Sequence, residues 1–231
     1  MKRILAIETS SEACSVALGL GDEVLERHEH APLRHAELLL PAVERLLAEA
    51  GQPLAELDAI AFGRGPGSFT SLRIGIGVVQ GLAWAAGLGV VPCSSLAALA
   101  LEAARVSGRE RARVRVAVDA RMQEVFTADF DWAGGALEPR GAERVCAPAA
   151  AAAPPDGETG ALLAVGNGYA RFAELQAAAG AADACYPDLW PRASMVLRLA
   201  QEWLRENEPL PAALAQPVYI RDDVAQKPGG K

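Results

Sequence analysis

The chain has 231 residues and a mass of 24.1 kDa, which allows one large domain or two small ones. Hydrophobic residues make up 51% of the chain and charged residues 22%, so a sizeable core can form and a wholly disordered chain is excluded. The net charge is −7 and the isoelectric point is near 5.1. An acidic chain lacks the clustered positive charge that grips nucleic acid, so we expect any RNA to be held by a partner.

Targeting and redox signals are sparse. The four cysteines stand far apart without a C-x-x-C pair, so neither a zinc site nor a redox motif is expected. The opening apolar run ends at Glu8, which is too early for the core of a signal peptide. No uninterrupted apolar stretch reaches the roughly 18 residues of a membrane span. These features predict a cytoplasmic protein with no membrane contact.

The first third of the chain predicts a strand meander followed by a helix. Apolar runs at 4–7, 15–20 and 23–27 are separated by polar turns, which is typical of antiparallel strands. An amphipathic helix is predicted over 34–50 and ends at Gly51. Its apolar stripe includes Leu39, Val43 and Leu46.

A second helix is the most distinctive element. A short strand at 59–62 and a Gly-Pro-Gly-Ser turn at 65–68 precede a helix over 69–86, in which Arg73 and Gln80 are the strongly polar side chains beyond Leu72. The turn is either a tight strand-to-helix connection or a cradle of free N–H groups for an anion. A helix that is apolar nearly all round is expected to be covered on more than one side.

One arc of this second helix predicts a partner surface. It carries Thr70, Arg73, Gly77, Gln80, Gly81 and Trp84. Glycines four residues apart let another backbone approach closely, and Arg and Trp are common interface anchors. We expect Leu39, Val43 and Leu46 of the first helix to contribute to the same surface. The alternative is that the helix packs only within the chain.

After a strand at 90–91 and a third helix to residue 104, the chain repeats its opening. A strand at 115–119, a polar turn and a strand at 125–130 follow the same order as the first residues, and Asp119 closes its strand as Glu8 does. This echo predicts an internal duplication and an α/β protein of two lobes, residues 1–106 and 107–231. Further on, we expect an exposed loop over 147–159, a helix over 169–179, a helix capped by Ser194 that runs to residue 206, and disorder over 226–231.

Candidate chemical sites have structural alternatives. Glu8, Asp119 and the turn with Gly166 and Asn167 are candidates for a phosphate site, because strand-ending acids of this kind hold a metal–nucleotide in some two-lobed ATPases. The two strand turns lack glycines that would let the backbone wrap a phosphate, so we interpret the site as vestigial and expect no cofactor. No convergent ligand set accompanies the histidines, which are expected at the surface: His28, His30 and His35. Four alternating arginines favour a solvated strand edge over an RNA groove: Arg109, Arg111, Arg113 and Arg115.

Several motifs together resemble the TsaB (YeaZ) family over essentially the whole chain. They are the opening ILAIETS at 4–10, RHAE at 34–37, GRGPGSFTSLRIG at 63–75, VDAR at 118–121 and PVYIR at 217–221. The stretch at 63–70 is the most specific of them. The family commonly has Gly where this chain has Ser71.

The resemblance implies a two-lobed fold of the actin, sugar kinase and Hsp70 ATPase type. It also implies a role in making threonylcarbamoyladenosine beside the tRNA anticodon, as a dimerisation scaffold for the catalytic relative TsaD with the ATPase TsaE as third member. TsaD-like chains carry a metal-binding histidine pair near the segment that corresponds to residues 91–97, where this chain has no histidine. We therefore expect a non-catalytic subunit without a metal, which contacts tRNA only through the complex and forms a weaker homodimer when alone. The alternatives are an ATP-dependent small-molecule kinase of the same fold and a metallopeptidase.

Overall fold

The structure, a computed structural model, describes residues 2–153 and 160–221. Its strands are β1 (Arg3–Glu8), β2 (Ala13–Leu20), β3 (Glu23–His30), β4 (Ala59–Gly63), β5 (Val90–Cys93), β6 (Arg111–Asp119), β7 (Val125–Ala133), β8 (Ala136–Pro139), β9 (Arg144–Cys146), β10 (Leu162–Val165) and β11 (Ala184–Tyr186). Its helices are α1 (His35–Glu49), α2 (Phe69–Ala86), α3 (Ser95–Ser107), α4 (Pro148–Ala151), α5 (Gly168–Arg171), α6 (Ala173–Ala179) and α7 (Ala193–Trp203).

The two sheets repeat one topology. The first has the strand order β3-β2-β1-β4-β5, and the second has β8-β7-β6-β10-β11. In the first sheet the central strand β1 pairs antiparallel with β2 and parallel with β4. In the second sheet the central strand β6 pairs antiparallel with β7 and parallel with β10. The predicted α/β fold of two related halves is therefore confirmed, and Glu8 and Asp119 end equivalent strands.

The helices form layers that join the two halves. One face of the first sheet is covered by α1 and α2, through residues such as Leu5 and Val16. Its other face is covered by α7, which comes from the end of the chain. The last helix of the first half, α3, packs on β6, β7 and β10 of the second sheet. The final long helix of each half thus packs on the sheet of the other half. The lobe boundary between residues 106 and 107 stays a prediction.

The helix α2 has the predicted bounds because its ends carry clear signals. Ser68 precedes it with extended backbone, and Gly87 follows it at φ 67°, the left-handed conformation that ends helices. It is also the one helix among the described residues that is long and apolar enough to cross a membrane, by length and composition alone. That match is weak, since core helices of soluble proteins pass the same test, and here Ile76, Val79 and Ala83 are buried in the core with the first sheet.

Several expectations for the second half are wrong in detail. Residues 148–151 of the predicted loop form α4, whose Pro148 is buried, while 154–159 lie outside the described residues. The helix predicted over 169–179 breaks at Phe172, which has extended backbone and a buried ring. Helix α7 starts after Arg192, so Ser194 lies inside it, and it ends at Trp203. The predicted disorder at 226–231 falls outside the described residues.

Candidate functional site

The exposed face of α2 is the predicted arc. Thr70, Arg73, Gly77 and Gly81 are exposed, and Trp84 is 81% exposed. The opposite face, with Leu72, Ile76 and Val79 among its members, belongs to the core. Among the described residues, α2 is covered by the first sheet, by α1 and by the segment around residues 212–215, as its apolar composition led us to expect, and the face with Gly77 and Gly81 stays open.

The glycines of α2 fall into two kinds. A Cβ at Gly75 would overlap the Thr9 side chain, so the close packing of α2 on the turn after β1 requires glycine there. A Cβ at Gly77 or Gly81 would meet nothing within 4 Å. Within the described residues, packing therefore explains Gly75 and leaves Gly77 and Gly81 without a structural reason.

The three residues expected from α1 are not part of this surface. Leu39, Val43 and Leu46 are each 1% exposed and belong to the core between α1 and the first sheet. The apolar stripe of an amphipathic helix faces its own sheet here, so that prediction is wrong. Gln80, which was predicted on the exposed arc of α2, is half-buried. Its Nε2 donates a hydrogen bond to the Ala215 carbonyl at 2.8 Å.

A segment near the C-terminus borders the same face. Tyr219, from the PVYIR motif, accepts hydrogen bonds from Arg73 at Nε (3.2 Å) and Nη2 (3.0 Å). The Arg73 guanidinium lies 3.4 Å from the centre of the Phe69 ring. The predicted arc of α2 did not include Phe69 or Tyr219. Two signals in the sequence were available: the position of Phe69 at the start of the helix and the PVYIR motif.

The glycine-rich turn before α2 is a close-packed connection. Ser68 N–H donates to the Ser10 carbonyl at 2.7 Å, and Gly65 N–H donates to the Ser95 hydroxyl at 3.2 Å. A Cβ at Gly67 would overlap the Ser10 carbonyl. Two of the N–H groups that an anion would need are thus bound within the chain, which favours the tight-turn interpretation.

Glu8 is fully buried and its carboxylate is bound by groups of its own half. Its Oε1 accepts from Ser10 N–H at 2.6 Å, and its Oε2 accepts from the Ser95 hydroxyl at 2.8 Å. Burial raises the pKa of Glu8, and the hydrogen bonds from Ser10 and Ser95 oppose that shift.

The equivalent acid of the second half is also occupied. Asp119 Oδ1 accepts from Arg121 N–H at 2.9 Å, and its Oδ2 lies 3.2 Å from Arg171 Nη1. Asn167 Oδ1 accepts from Asp119 N–H at 2.8 Å, and Gly166 has φ 109° directly against the Ala117 carbonyl. The polar side chains of Glu8, Asp119 and Asn167 are therefore bound to groups of the chain itself.

The cleft between the strand ends is almost filled. A cavity of about 10 Å³ remains there, lined by residues that include Ser10, Asn167, Trp190 and Pro191. That volume admits about one water molecule. A larger groove of about 670 Å³ is lined mainly by apolar residues, and its Glu143 is bound to Arg64 and to the Ser94 hydroxyl.

The histidine and arginine expectations need correction. His35 is 1% exposed, with its Nε2 3.2 Å from the Ala13 carbonyl, so it is not a surface residue. Arg113 and Arg115 are about nine-tenths buried and face Asp131 and Asp129 on β7. Because β6 is a central strand, these arginines do not form a solvated edge.

Comparison with known proteins shows which family the sequence and the fold resemble. A family model described as TsaD, tRNA N6-adenosine threonylcarbamoyltransferase, matches residues 28–228. The chain is 37% identical to the tRNA threonylcarbamoyladenosine biosynthesis protein TsaB of Escherichia coli, over 97% of each chain. It is 34% identical to the TsaB protein of Haemophilus influenzae, over 97% of this chain and 95% of that one. A solved structure of YeaZ from Pseudomonas aeruginosa superposes with a TM-score of 0.85 at 40% identity and covers 95% of this chain and all of that one.

The repeated sheet and these matches define a two-lobed α/β protein with a TsaD-type, actin/ATPase-like domain. Within that class, full-length similarity to TsaB and YeaZ proteins confirms the resemblance read from the motifs. The chain belongs to the TsaB family of tRNA threonylcarbamoyladenosine biosynthesis proteins.

Proposed function

We propose that the chain is a non-catalytic scaffold of the complex that transfers threonylcarbamoyl to the adenosine beside the tRNA anticodon. In this proposal it pairs with a TsaD-like catalytic subunit through the exposed face of α2, and a TsaE-like ATPase is the third member. The contacting residues are Thr70, Arg73, Gly77, Gln80, Gly81 and Trp84.

The observation that carries the proposal is the open space over Gly77 and Gly81. Glycine inside a helix costs about 1 kcal/mol relative to alanine, and no described residue of the chain requires that cost at these two positions. Glycines one turn apart allow a second helix to approach closely. Trp84, 81% exposed at the end of the same stripe, is an anchor of the type that interfaces enrich.

Gly81→Leu tests this surface directly. The new side chain enters open space in the isolated chain, so we expect it to stay folded with an undiminished melting temperature. At the interface it would separate the two helices and weaken the heterodimer by about 1–3 kcal/mol. Calorimetric titration with the TsaD-like subunit of the same organism, beside a thermal melt, measures both.

Ala177→Leu is the matched control, since Ala177 is exposed on α6, which packs on the second sheet. It should leave the affinity unchanged. If Gly81→Leu binds the partner as tightly as wild type, the interface lies elsewhere.

The non-catalytic role is supported by the state of the strand-end acids. Glu8 and Asp119 bind groups of their own chain, and the cleft beside them holds about 10 Å³. A kinase of this fold would need that cleft for its nucleotide. The second candidate, a small-molecule kinase, therefore lacks room for nucleotide at this place.

The proposal also covers RNA, cofactor, location, lobes and self-association. The chain contacts tRNA only through the complex, because its charge of −7 supplies few phosphate contacts. It uses no cofactor, works in the cytoplasm, and divides into lobes at residues 106 and 107. When the partner is missing, the α2 face pairs with a second copy, and gel filtration of wild type against Gly81→Leu should then show a dimer become a monomer.

A further inference from the structure

The segment 215–221 runs along α2 and forms an exposed cluster of Tyr219, Phe69 and Arg73 at the N-terminal end of the helix. The Ala215 carbonyl accepts from Gln80, and the Tyr219 hydroxyl accepts two hydrogen bonds from Arg73. Phe69 and Tyr219 are each 52% exposed, and their ring centres lie 6.0 Å apart. Two aromatic rings and a guanidinium therefore extend the α2 face beyond the helix itself.

The same segment holds an unusual turn of the second half. Arg121, Met122 and Gln123, between β6 and β7, have φ of 63°, 53° and 60°. Three successive residues other than glycine in the left-handed region are rare, and such backbone persists only where neighbours fix it. Arg221 supplies that support, because it contacts the Ala120 carbonyl (3.3 Å), the Met122 sulfur (3.2 Å) and the Glu124 carboxylate. The turn presents Met122 at 66% exposure.

These two features form one surface that crosses from the first half to the second. Tyr219 and Arg221 are two residues apart, and they alternate with Val218 and Ile220, which line the 670 Å³ groove. In extended chain, alternate side chains share a side, about 7 Å apart. Tyr219 contacts α2 through Arg73, and Arg221, two residues on, contacts the turn that carries Met122, so this short segment connects the two features.

We infer that this continuous surface docks the same TsaD-like subunit, so that the partner contacts both halves of the chain; the inference rests on the proposed function. The exposed aromatic, arginine and methionine side chains are those enriched in protein interfaces. Arg121 and Arg171 pair with the carboxylate of Asp119, and Arg221 pairs with that of Glu124. Arg73 has Tyr219 and the Phe69 ring as its described contacts, so four arginines here face two carboxylates. A positive cluster on a chain of net charge −7 fits a partner surface that carries carboxylates.

A protein fits this surface better than RNA does. Arg73 is stacked on Phe69 and bonded to Tyr219, Arg121 and Arg171 share Asp119, and Arg221 is held by the turn. The net charge of −7 opposes binding to a phosphate backbone, and one face of the Phe69 ring is covered by Arg73 and closed to base stacking.

The test measures the affinity of the full chain for the TsaD-like subunit with one variant at each end of the surface: Tyr219→Ala, beside α2 of the first half, and Met122→Glu, in the turn between β6 and β7 of the second half. Each should weaken the heterodimer about tenfold or more, as loss of an interface anchor does. Val106→Glu is the control: Val106 is 44% exposed in the last turn of α3, which precedes the start of β6, whereas the turn with Met122 follows the end of β6. It should bind as wild type does.

The outcomes separate this inference from the proposed function. If Gly81→Leu weakens the heterodimer while Tyr219→Ala and Met122→Glu do not, the surface ends at α2 and the inference is wrong. If none of the three changes the affinity, both proposals fail. Should the two new variants spare the heterodimer but weaken tRNA binding by the assembled complex, the surface serves RNA and the inference is overturned.

Discussion

The Arg115 guanidinium on β6 donates two hydrogen bonds to the Asp129 carboxylate on β7, from Nε to Oδ1 at 2.7 Å and from Nη2 to Oδ2 at 2.8 Å. Arg115 is 9% exposed and Asp129 is 21% exposed. The same guanidinium donates to the Ala151 carbonyl of α4 at 3.2 Å. The hydrogen bonds that Arg115 donates to Asp129 raise the pKa of Arg115, and its bond to the Ala151 carbonyl ties α4 to the second sheet.

We expect Arg115→Met to lower the free energy of unfolding by about 2–4 kcal/mol, since it leaves a mostly buried carboxylate and carbonyl without partners. The double variant Arg115→Met/Asp129→Leu should recover much of that loss. Arg140→Met is the control, because Arg140 and Asp131 are 40% and 47% exposed and such pairs contribute about 0–1 kcal/mol. Urea unfolding of wild type and the three variants measures these losses, and equal losses for Arg115→Met and Arg140→Met would contradict the prediction.

The glycines of α2 should respond in opposite directions to alanine. Gly77→Ala and Gly81→Ala enter open space and should each stabilise the isolated chain by about 0.5–1 kcal/mol. Gly75→Ala would overlap Thr9 and should destabilise it by about 1–3 kcal/mol. Chemical denaturation resolves these signs. A loss of stability at position 77 or 81 would mean that the chain itself needs those glycines.

The raised pKa of Glu8 predicts a pH dependence. Its ordinary value is 4.5, so above that pH the native state holds a proton that the unfolded chain has lost, and the free energy of unfolding falls as pH rises toward the folded pKa. Glu8→Gln cannot ionise, so its stability relative to wild type should rise with pH from about 4.5 upward. Urea unfolding at steps between about pH 4 and 8 gives the slope. Glu44→Gln, on the exposed side of α1, is the control; a pH-independent difference for Glu8→Gln would refute the assignment.

The filled cleft predicts that the isolated chain does not bind nucleotide between the ends of β1 and β6, the place where a kinase of this fold would hold it. Trp190 and Pro191 line a space of about 10 Å³, far below the several hundred Å³ of a small-molecule site. We expect no heat when MgATP is titrated into the chain up to about millimolar concentration. A micromolar dissociation constant would instead favour the kinase alternative. A phosphate-binding protein of known affinity, titrated in the same buffer, checks the sensitivity.

Sequence patterns predicted α2 and the repeat well because each rests on local signals. Helix α2 ends at Gly87, and the second half repeats a strand–turn–strand order that ends in an acid, at Glu8 and Asp119. The sheet order follows once the meander and the parallel strands are placed. Local periodicity and turn chemistry were enough for these elements.

The errors arose where the answer depends on distant residues. A stripe such as Leu39, Val43 and Leu46 looks the same whether it faces a sheet or a partner, and only the fold places it against the first sheet. Whether an arginine of β6 is solvated depends on the register that sets Asp129 opposite Arg115. The contacts of Tyr219 join residues 146 positions apart, which no local pattern reports.

The exchange of helices between the halves has a consequence for synthesis on the ribosome. One face of the first sheet is covered by α7, so it stays bare until residues 193–203 have left the exit tunnel, well over a hundred residues after β1. The emerging first half is therefore an incomplete folding unit with an apolar surface, and a chaperone or the nascent second half must shield it. Separately expressed halves would meet the same problem, and each should be soluble only when the other is present to receive its helix.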